Sequence, residues 1–306
     1  MYKMLMHYKP EVLVHCAATA HEGLSSFSPS FITKNIYEAS VATFSAAIAA
    51  GVKRIVYMSS MSRYGTGRVF CAEDEGGYIE NIGDIEIAGR IYKNPSRPPF
   101  IEDFHLVAPV DPYAVAKVAA EDTLRILAKT HGIAYSILVP HNIIGTKQRY
   151  VDPFRNVASI MMNRCLMGLP PIVYGDGMQT RCFSPVADCL PSIIKAVNGA
   201  ADGEIVNIGP DTGMISILDL AGKIIALTGA EPVLNHMPDR PNEVKHAYCS
   251  SEKARKLLGY KENQSIDDCL KEMVEDIKAK GTKPFIYDFP IEIELGCPET
   301  WLKRLM

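Results

Sequence analysis

Ser60 and the pair Tyr113-x-x-x-Lys117 are the residues of this chain whose types and spacing could do chemistry together. A phenol acts as a base near neutral pH only if positive charge lowers its pKa from roughly 10. Lys117 lies four positions after Tyr113, so on a helix it shares that face. It can then supply the charge while also reaching a ribose hydroxyl, and an oxidised nicotinamide would add a second cation. Ser60 would share a hydrogen bond with the same substrate oxygen and fix its direction. Taking the proton of a sugar hydroxyl while hydride leaves its carbon gives a ketone, which is the chemistry this set permits. The same residues have plain structural uses as well. Tyr113 and Lys117 suit an exposed helix pair, and a serine at a strand end suits a turn cap.

Such a set needs a strand that ends at Ser60 and a helix that carries Tyr113. Val12-Leu-Val14 is a short apolar run leading into the small residues His15-Cys-Ala-Ala18, as expected of a buried strand and a tight turn. Asn35 to Ala50 has helical apolar spacing and is closed by Gly51. Arg54-Ile-Val-Tyr-Met58 is a second buried strand ending at Ser59-Ser60, and this β-α-β order implies a parallel sheet. Tyr113 to His131 reads as a helix with Glu121 and Asp122 outward, closed by Gly132. Ala134 to Val139 is the next strand, stopped by Pro140. The alternation predicts an α/β fold with a doubly wound parallel sheet, whose ligands collect at the carboxyl ends of the strands. Ser60 and Asn142 both fall at such ends. After Gly145, Pro- and Gly-punctuated pieces predict a smaller, mixed substrate-binding region over 146–306 following a dinucleotide-binding part over 1–145. A last core strand returns near 205–208.

The chain has 306 residues, 47% hydrophobic, enough for a large core. With 32 basic against 35 acidic residues and a net charge of −3, it has no field to recruit nucleic acid or a membrane surface. Eight scattered cysteines with no Cys-x-x-Cys and no His-Glu-x-x-His signal neither zinc nor a disulfide framework, so no metal is expected. No apolar run is long enough for a signal peptide or a membrane span, and a cytoplasmic protein is the expectation.

Several motifs occur in a fixed order: Val14-His-Cys-Ala-Ala18, Asn35, Gly51 to Ser60, Arg63-Tyr-Gly65, Asp111-Pro-Tyr-Ala-Val-Ala-Lys117, Pro140 to Gly145, Tyr174 to Arg181, Asn207-Ile-Gly209 and Arg240-Pro-Asn-Glu-Val244. This order resembles the extended short-chain dehydrogenase/reductase family, whose sheet is of the Rossmann type. Within it, the chain looks most like NAD-dependent nucleotide-sugar epimerases of the UDP-glucose 4-epimerase type. The resemblance implies Ser60, Tyr113 and Lys117 as the catalytic set, and NAD held by Ala17, Ala18, Asn35, Ser59, Tyr113, Lys117 and Pro140. It implies a nucleotide-sugar, a UDP-sugar above all, held by Ser60, Asn142, Arg181 and Arg240; two arginines converging on a diphosphate give forked, charge-assisted hydrogen bonds. It also implies a homodimer that packs the helices at Asn35–Ala50 and Tyr113–His131 into a four-helix bundle. Dehydratases similar to this family place an Asp-Glu pair after the catalytic hydroxyl. Here that pair is Met61-Ser62, which favours epimerisation or simple redox chemistry.

Two departures stand out. An insertion-like stretch at 67–98 separates Ser60 from Tyr113, and the family's opening Gly-x-x-Gly-x-x-Gly turn is absent from the sequence. The resemblance therefore implies an N-terminally truncated Rossmann domain, in which the strand at Val12–Val14 is a sheet edge. Two alternatives stay open beside the epimerase: an NAD(P)-dependent nucleotide-sugar reductase or dehydrogenase, and a noncatalytic protein that keeps the sugar-nucleotide pocket or the dimer surface.

Overall fold

Four short apolar runs build the central sheet of the computed structural model. They are β1 (Val12–His15), β2 (Arg54–Met58), β3 (Ala134–Pro140) and β4 (Ile205–Ile208). They pair in that order, all parallel, with Val14 beside Val56, Val56 beside Ser136, and Leu138 beside Val206. The structure describes residues 1–67 and 98–306, and between them the backbone of two short antiparallel strand pairs. The expected insertion thus lies almost wholly outside the described residues.

Side chains alternate across the sheet with the period of two that a pleated strand imposes. Ile55, Tyr57, Ile137 and Val139 point to one face, where they pack with Phe44, Ala47, Ala120 and Leu124. These last residues belong to α3 (Ala39–Ala49) and α4 (Pro112–His131), which follow α1 (Tyr2–Tyr8) and α2 (Glu22–Ser25) in the chain. Val56, Met58, Leu138, Val206 and Ile208 point the other way, onto Cys189, Ala196, Ala254 and Leu258. Helices therefore cover both faces, as a doubly wound sheet requires. A separate core forms around α5 (Val157–Leu166), α7 (Ile217–Thr228) and α9 (Ile266–Lys280), with Met161, Leu220 and Met273 among its buried residues; α6 (Val186–Val197) and α8 (Glu252–Leu258) belong to the sheet.

Two local readings change. The helix expected from Asn35 starts earlier: Pro29–Thr33 and a wider turn at Lys34–Glu38 run straight into α3. Ser28-Pro29 is the start signal, since proline in a first helical turn loses no hydrogen bond there. Glu121, expected on the outer face of α4, is instead 2% exposed, whereas Asp122 does face solvent. Among the described residues no helix is long and apolar enough to cross a membrane, and no group of three or more His, Cys, Asp or Glu could hold a metal ion.

Candidate active site

The carboxyl ends of β2 and β3 open into a cleft of about 700 Å³. One helix brings most of the polar chemistry to it. Asp111 caps α4 by accepting from the Ala114 amide at 2.9 Å, and Gly132 closes the other end with φ 65°. Tyr113, Lys117 and Glu121 lie four residues apart along α4 and so share one face. That face meets the last residues of β2 and the serines after it. Ser60 lies close enough to Tyr113 to act on its phenol, Lys117 Nζ donates to the Met58 carbonyl at 2.8 Å, and Ser59 Oγ donates to the Glu121 carboxylate.

Ser60 lines the cleft and also serves as a turn cap. Its Oγ caps the turn Met61–Tyr64, accepting from the Ser62 amide at 3.3 Å, and it also receives the Ser62 hydroxyl at 2.9 Å. Behind it, Arg63 Nη2 pairs with Glu121 at 3.2 Å, both side chains buried.

The charges differ from the simple picture of a lysine beside a tyrosine. Burial raises the Tyr113 phenol to about 12 even with Ser60 pulling it down. Lys117 Nζ lies 6.0 Å from the centre of the Tyr113 ring, and its own burial, aided by Arg155, lowers it to about 8. In this state the phenol keeps its proton, and Lys117 alone does not make it a base.

The sequence-derived site residues divide into those that line the cleft and those that do not. Ala18, Ser59, Ser60, Tyr113, Lys117, Pro140, Asn142, Arg181 and Arg240 all line it. Ala17 is exposed away from it, and Asn35 lies within the helical stretch, where its amide donates to the Phe31 carbonyl at 2.8 Å. Asn142 has φ 42° and donates to the Cys182 carbonyl at 3.0 Å, so a structural contact already engages its side chain. Arg181 and Arg240 come together because Thr180–Arg181 pairs with His246–Ala247, which folds back the loop carrying Arg240. Glu243 joins them, 2.6 Å from Arg240 and 3.8 Å from Arg181, while the Arg240 guanidinium stands 4.9 Å over the Tyr174 ring.

Four charged residues of the cleft, among the described residues, were not anticipated: Glu22, Lys147, Arg155 and Glu243 as a charge partner. Glu22 follows the small-residue turn after β1, and Arg155 lies near enough to act on both Tyr113 and Lys117. Only the general tendency of ligands to gather at strand ends could have drawn attention to Glu22.

Small residues beside Lys117 and Tyr113 at the strand ends leave room for the nicotinamide and its ribose, so the residues present fit that end of a dinucleotide. A parallel sheet with such a cleft defines a Rossmann-type enzyme of the extended short-chain dehydrogenase/reductase class. The chain belongs to the NAD dependent epimerase/dehydratase family, whose model matches residues 1–209, and NAD is its cofactor. Among curated relatives, the UDP-glucose 4-epimerase of Mycolicibacterium smegmatis is 27% identical over 281 residues, covering 91% of this chain and 79% of that protein. A UDP-N-acetyl-alpha-D-glucosaminuronate decarboxylase of Bacillus cytotoxicus is 26% identical over 249 residues, covering 79% of this chain and 67% of that one. Among solved structures, the UDP-glucose 4-epimerase of Thermotoga maritima with UDP-glucose has a TM-score of 0.76 at 23% identity, covering 91% of this chain and 82% of that one. The UDP-glucuronic acid 4-epimerase of Bacillus cereus in complex with UDP-glucuronic acid and NAD has a TM-score of 0.74 at 24% identity, covering 92% and 78%.

Proposed function

We propose that this chain is a nucleotide-sugar 4-epimerase acting on a UDP-hexose. What carries the reading is the convergence of Ser60, Tyr113 and Lys117 on one wall of the cleft with Arg181 and Arg240 on another. Bound NAD supplies a hydride acceptor that returns the hydride, and its positive charge lowers the phenol of Tyr113. Tyr113 then takes the proton of the sugar hydroxyl, Ser60 holds the oxygen, and Lys117 binds the ribose and keeps its charge beside the phenol. Arg181 and Arg240 bind the diphosphate, which competes with Glu243 for them. The sugar ketone turns between the two walls and is reduced on its other face, so net redox change is zero.

Incubation with NAD and UDP-galactose or UDP-N-acetylgalactosamine tests this directly. The expected result is the 4-epimer without accumulation of reduced cofactor. Reduced cofactor formed in step with product would instead identify a dehydrogenase. UDP-sugar binding with neither NAD binding nor turnover would leave a noncatalytic sugar-nucleotide protein.

The chain is further proposed to be a homodimer, since α4 exposes Val115 (53%) and Ile126 (64%), apolar residues that a partner's helices would cover. Sedimentation should give twice the mass of the chain, and charged residues at both positions should return it to the monomer. A cytoplasmic setting suits its chemistry and its thiols: the described cysteines are all free. Fractionation of the cells that make it would check this, and recovery with a membrane or secreted fraction would refute it.

A further inference from the structure

We propose that Glu22 is a second proton-transfer group of this cleft, one that removes and returns the hydrogen on a carbon flanking the carbonyl of a nucleotide-linked 4-ketohexose. The ketone is that of the reading above, on which the proposal rests for its biological source.

Glu22 opens the one-turn helix α2 and lines the cleft together with Ser60, Tyr113, Arg181 and Arg240. A single joint fixes it relative to Tyr113. Ser25 Oγ, in contact with the Glu22 carbonyl at 2.6 Å, also bonds Asp111 at 3.2 Å, and Asp111 is the cap two residues before Tyr113. Gly23 lets this turn approach the opposite wall: a Cβ there would stand 3.0 Å from the Trp301 ring and 3.5 Å from Arg240 Nη1.

Among the described residues, three side-chain carboxylates line the cleft: Glu22, Asp111 and Glu243. Asp111 is occupied in capping α4, and Glu243 engages both arginines. The Glu22 carboxyl makes no hydrogen bond or ion pair among the described residues, and its surface is open to the cleft while protein rings it. The protein ringing the cleft keeps water from the carboxyl although part of its surface stays open, and together with the charge of Asp111 this holds it at about 7, against the pull of Arg181 and Arg240 and with Glu243 adding to the rise. The groups facing it are therefore Asp111 and Tyr113 from the α4 side and Arg181, Arg240 and Glu243 from the other. An acid of that strength exchanges protons readily near neutral pH. Met61 and Ser62, next to Ser60, have no group that could do so.

In the step, the C–H bond beside the carbonyl breaks and its proton goes to a Glu22 carboxylate oxygen. The electron pair of that bond forms the C=C of an enolate, whose oxygen the Ser60 and Tyr113 hydroxyls hold. The proton on Glu22 exchanges with solvent, and its return to the carbon restores the ketone. No electrons leave the sugar.

The test supplies the ketone ready-made. UDP-4-keto-6-deoxyglucose is incubated with the protein in D₂O, and deuterium at C3 and C5 is followed by NMR and mass spectrometry against a protein-free control. Exchange at one of these carbons should run about 10²-fold or more above control, the usual scale of a positioned base. Its rate should rise with pH and level off above about 7, as the carboxyl loses its proton. Glu22→Gln should lose at least roughly tenfold of that rate, with UDP still bound by calorimetry and an unchanged melting curve. Exchange at the control rate with the unaltered protein, or a Gln variant that exchanges as fast, would overturn the proposal. Failure of the 4-epimerase reading shows separately, as UDP-galactose left unconverted by protein that still exchanges the preformed ketone.

Discussion

Tyr113→Phe should lower kcat for UDP-sugar epimerisation by about 10²–10⁴-fold, the range expected when a positioned acid–base is removed. The substitution takes away one oxygen and little else. The ring packs with Ile32, Ile36 and Ala116, and those contacts survive in phenylalanine, so the melting curve should move little. KM should stay within a few-fold, because Arg181 and Arg240 hold the other end of the ligand. The pH profile separates this role from a packing role. A base must be unprotonated to act, so kcat/KM of the unaltered enzyme falls as pH drops below the phenol's apparent pKa, whereas the phenylalanine variant has no such limb. In the protein alone that phenol sits at about 12, so the limb observed with NAD measures how far the cofactor's charge lowers it. Equal kcat for the two proteins, or an unchanged acid limb, would remove Tyr113 from the mechanism.

The strands were legible because their signal is local. Arg54 to Met58 and Ala134 to Val139 are apolar runs bounded by turns, and burial on both faces leaves no alternation to misread, whereas Val12 to Val14, expected to be buried too, is the sheet edge and leaves Val14 38% exposed. Ser60 at the end of β2, and Tyr113 with Lys117 on one face of α4, followed from spacing. Glu121 was misplaced although it continues that same four-residue spacing, because a charged side chain on a helix is by default assigned to solvent. Only the burial of Arg63 beside it explains why it turns inward. The meeting of Arg181 with Arg240 is not local at all. It depends on pairing between Thr180–Arg181 and His246–Ala247, so the sequence pointed to it only through family resemblance. Glu22 had neither signal: no period marks it, and its isolation from partners exists only in three dimensions.

Glu121→Ala should destabilise the protein by about 3–5 kcal/mol, the cost of removing one partner of a buried ion pair. The reason lies in what is left behind. Arg63 is 4% exposed, and its Nε and Nη1 already have no partner among the described residues, so loss of the carboxylate strands a buried guanidinium. Ser59 loses its acceptor as well. The pair is not itself a net source of stability: burial holds the Glu121 carboxyl above its usual range in spite of Arg63 and Ser59. A folded-state pKa raised in this way means that the ionised carboxylate is costly, a cost absent well below the ordinary carboxyl value of 4.5 and present in full once pH exceeds the raised value. Replacing both partners by apolar residues, as in Arg63→Met with Glu121→Leu, should therefore recover most of the loss, and the double-mutant cycle should show strong coupling. Denaturant midpoints of the parent, Glu121→Ala, Arg63→Met, Glu121→Leu and the double variant make the measurement. An alanine variant within about 1 kcal/mol of the parent, the range of exposed ion pairs, would mean that water reaches Arg63. Catalysis offers a second reading of the same variants. Glu121 holds Ser59, next to Ser60, and partly offsets the burial that lowers Lys117, so in the double variant a fold restored without activity would assign the pair to positioning Ser59 and Lys117, and restored activity would assign it to packing alone.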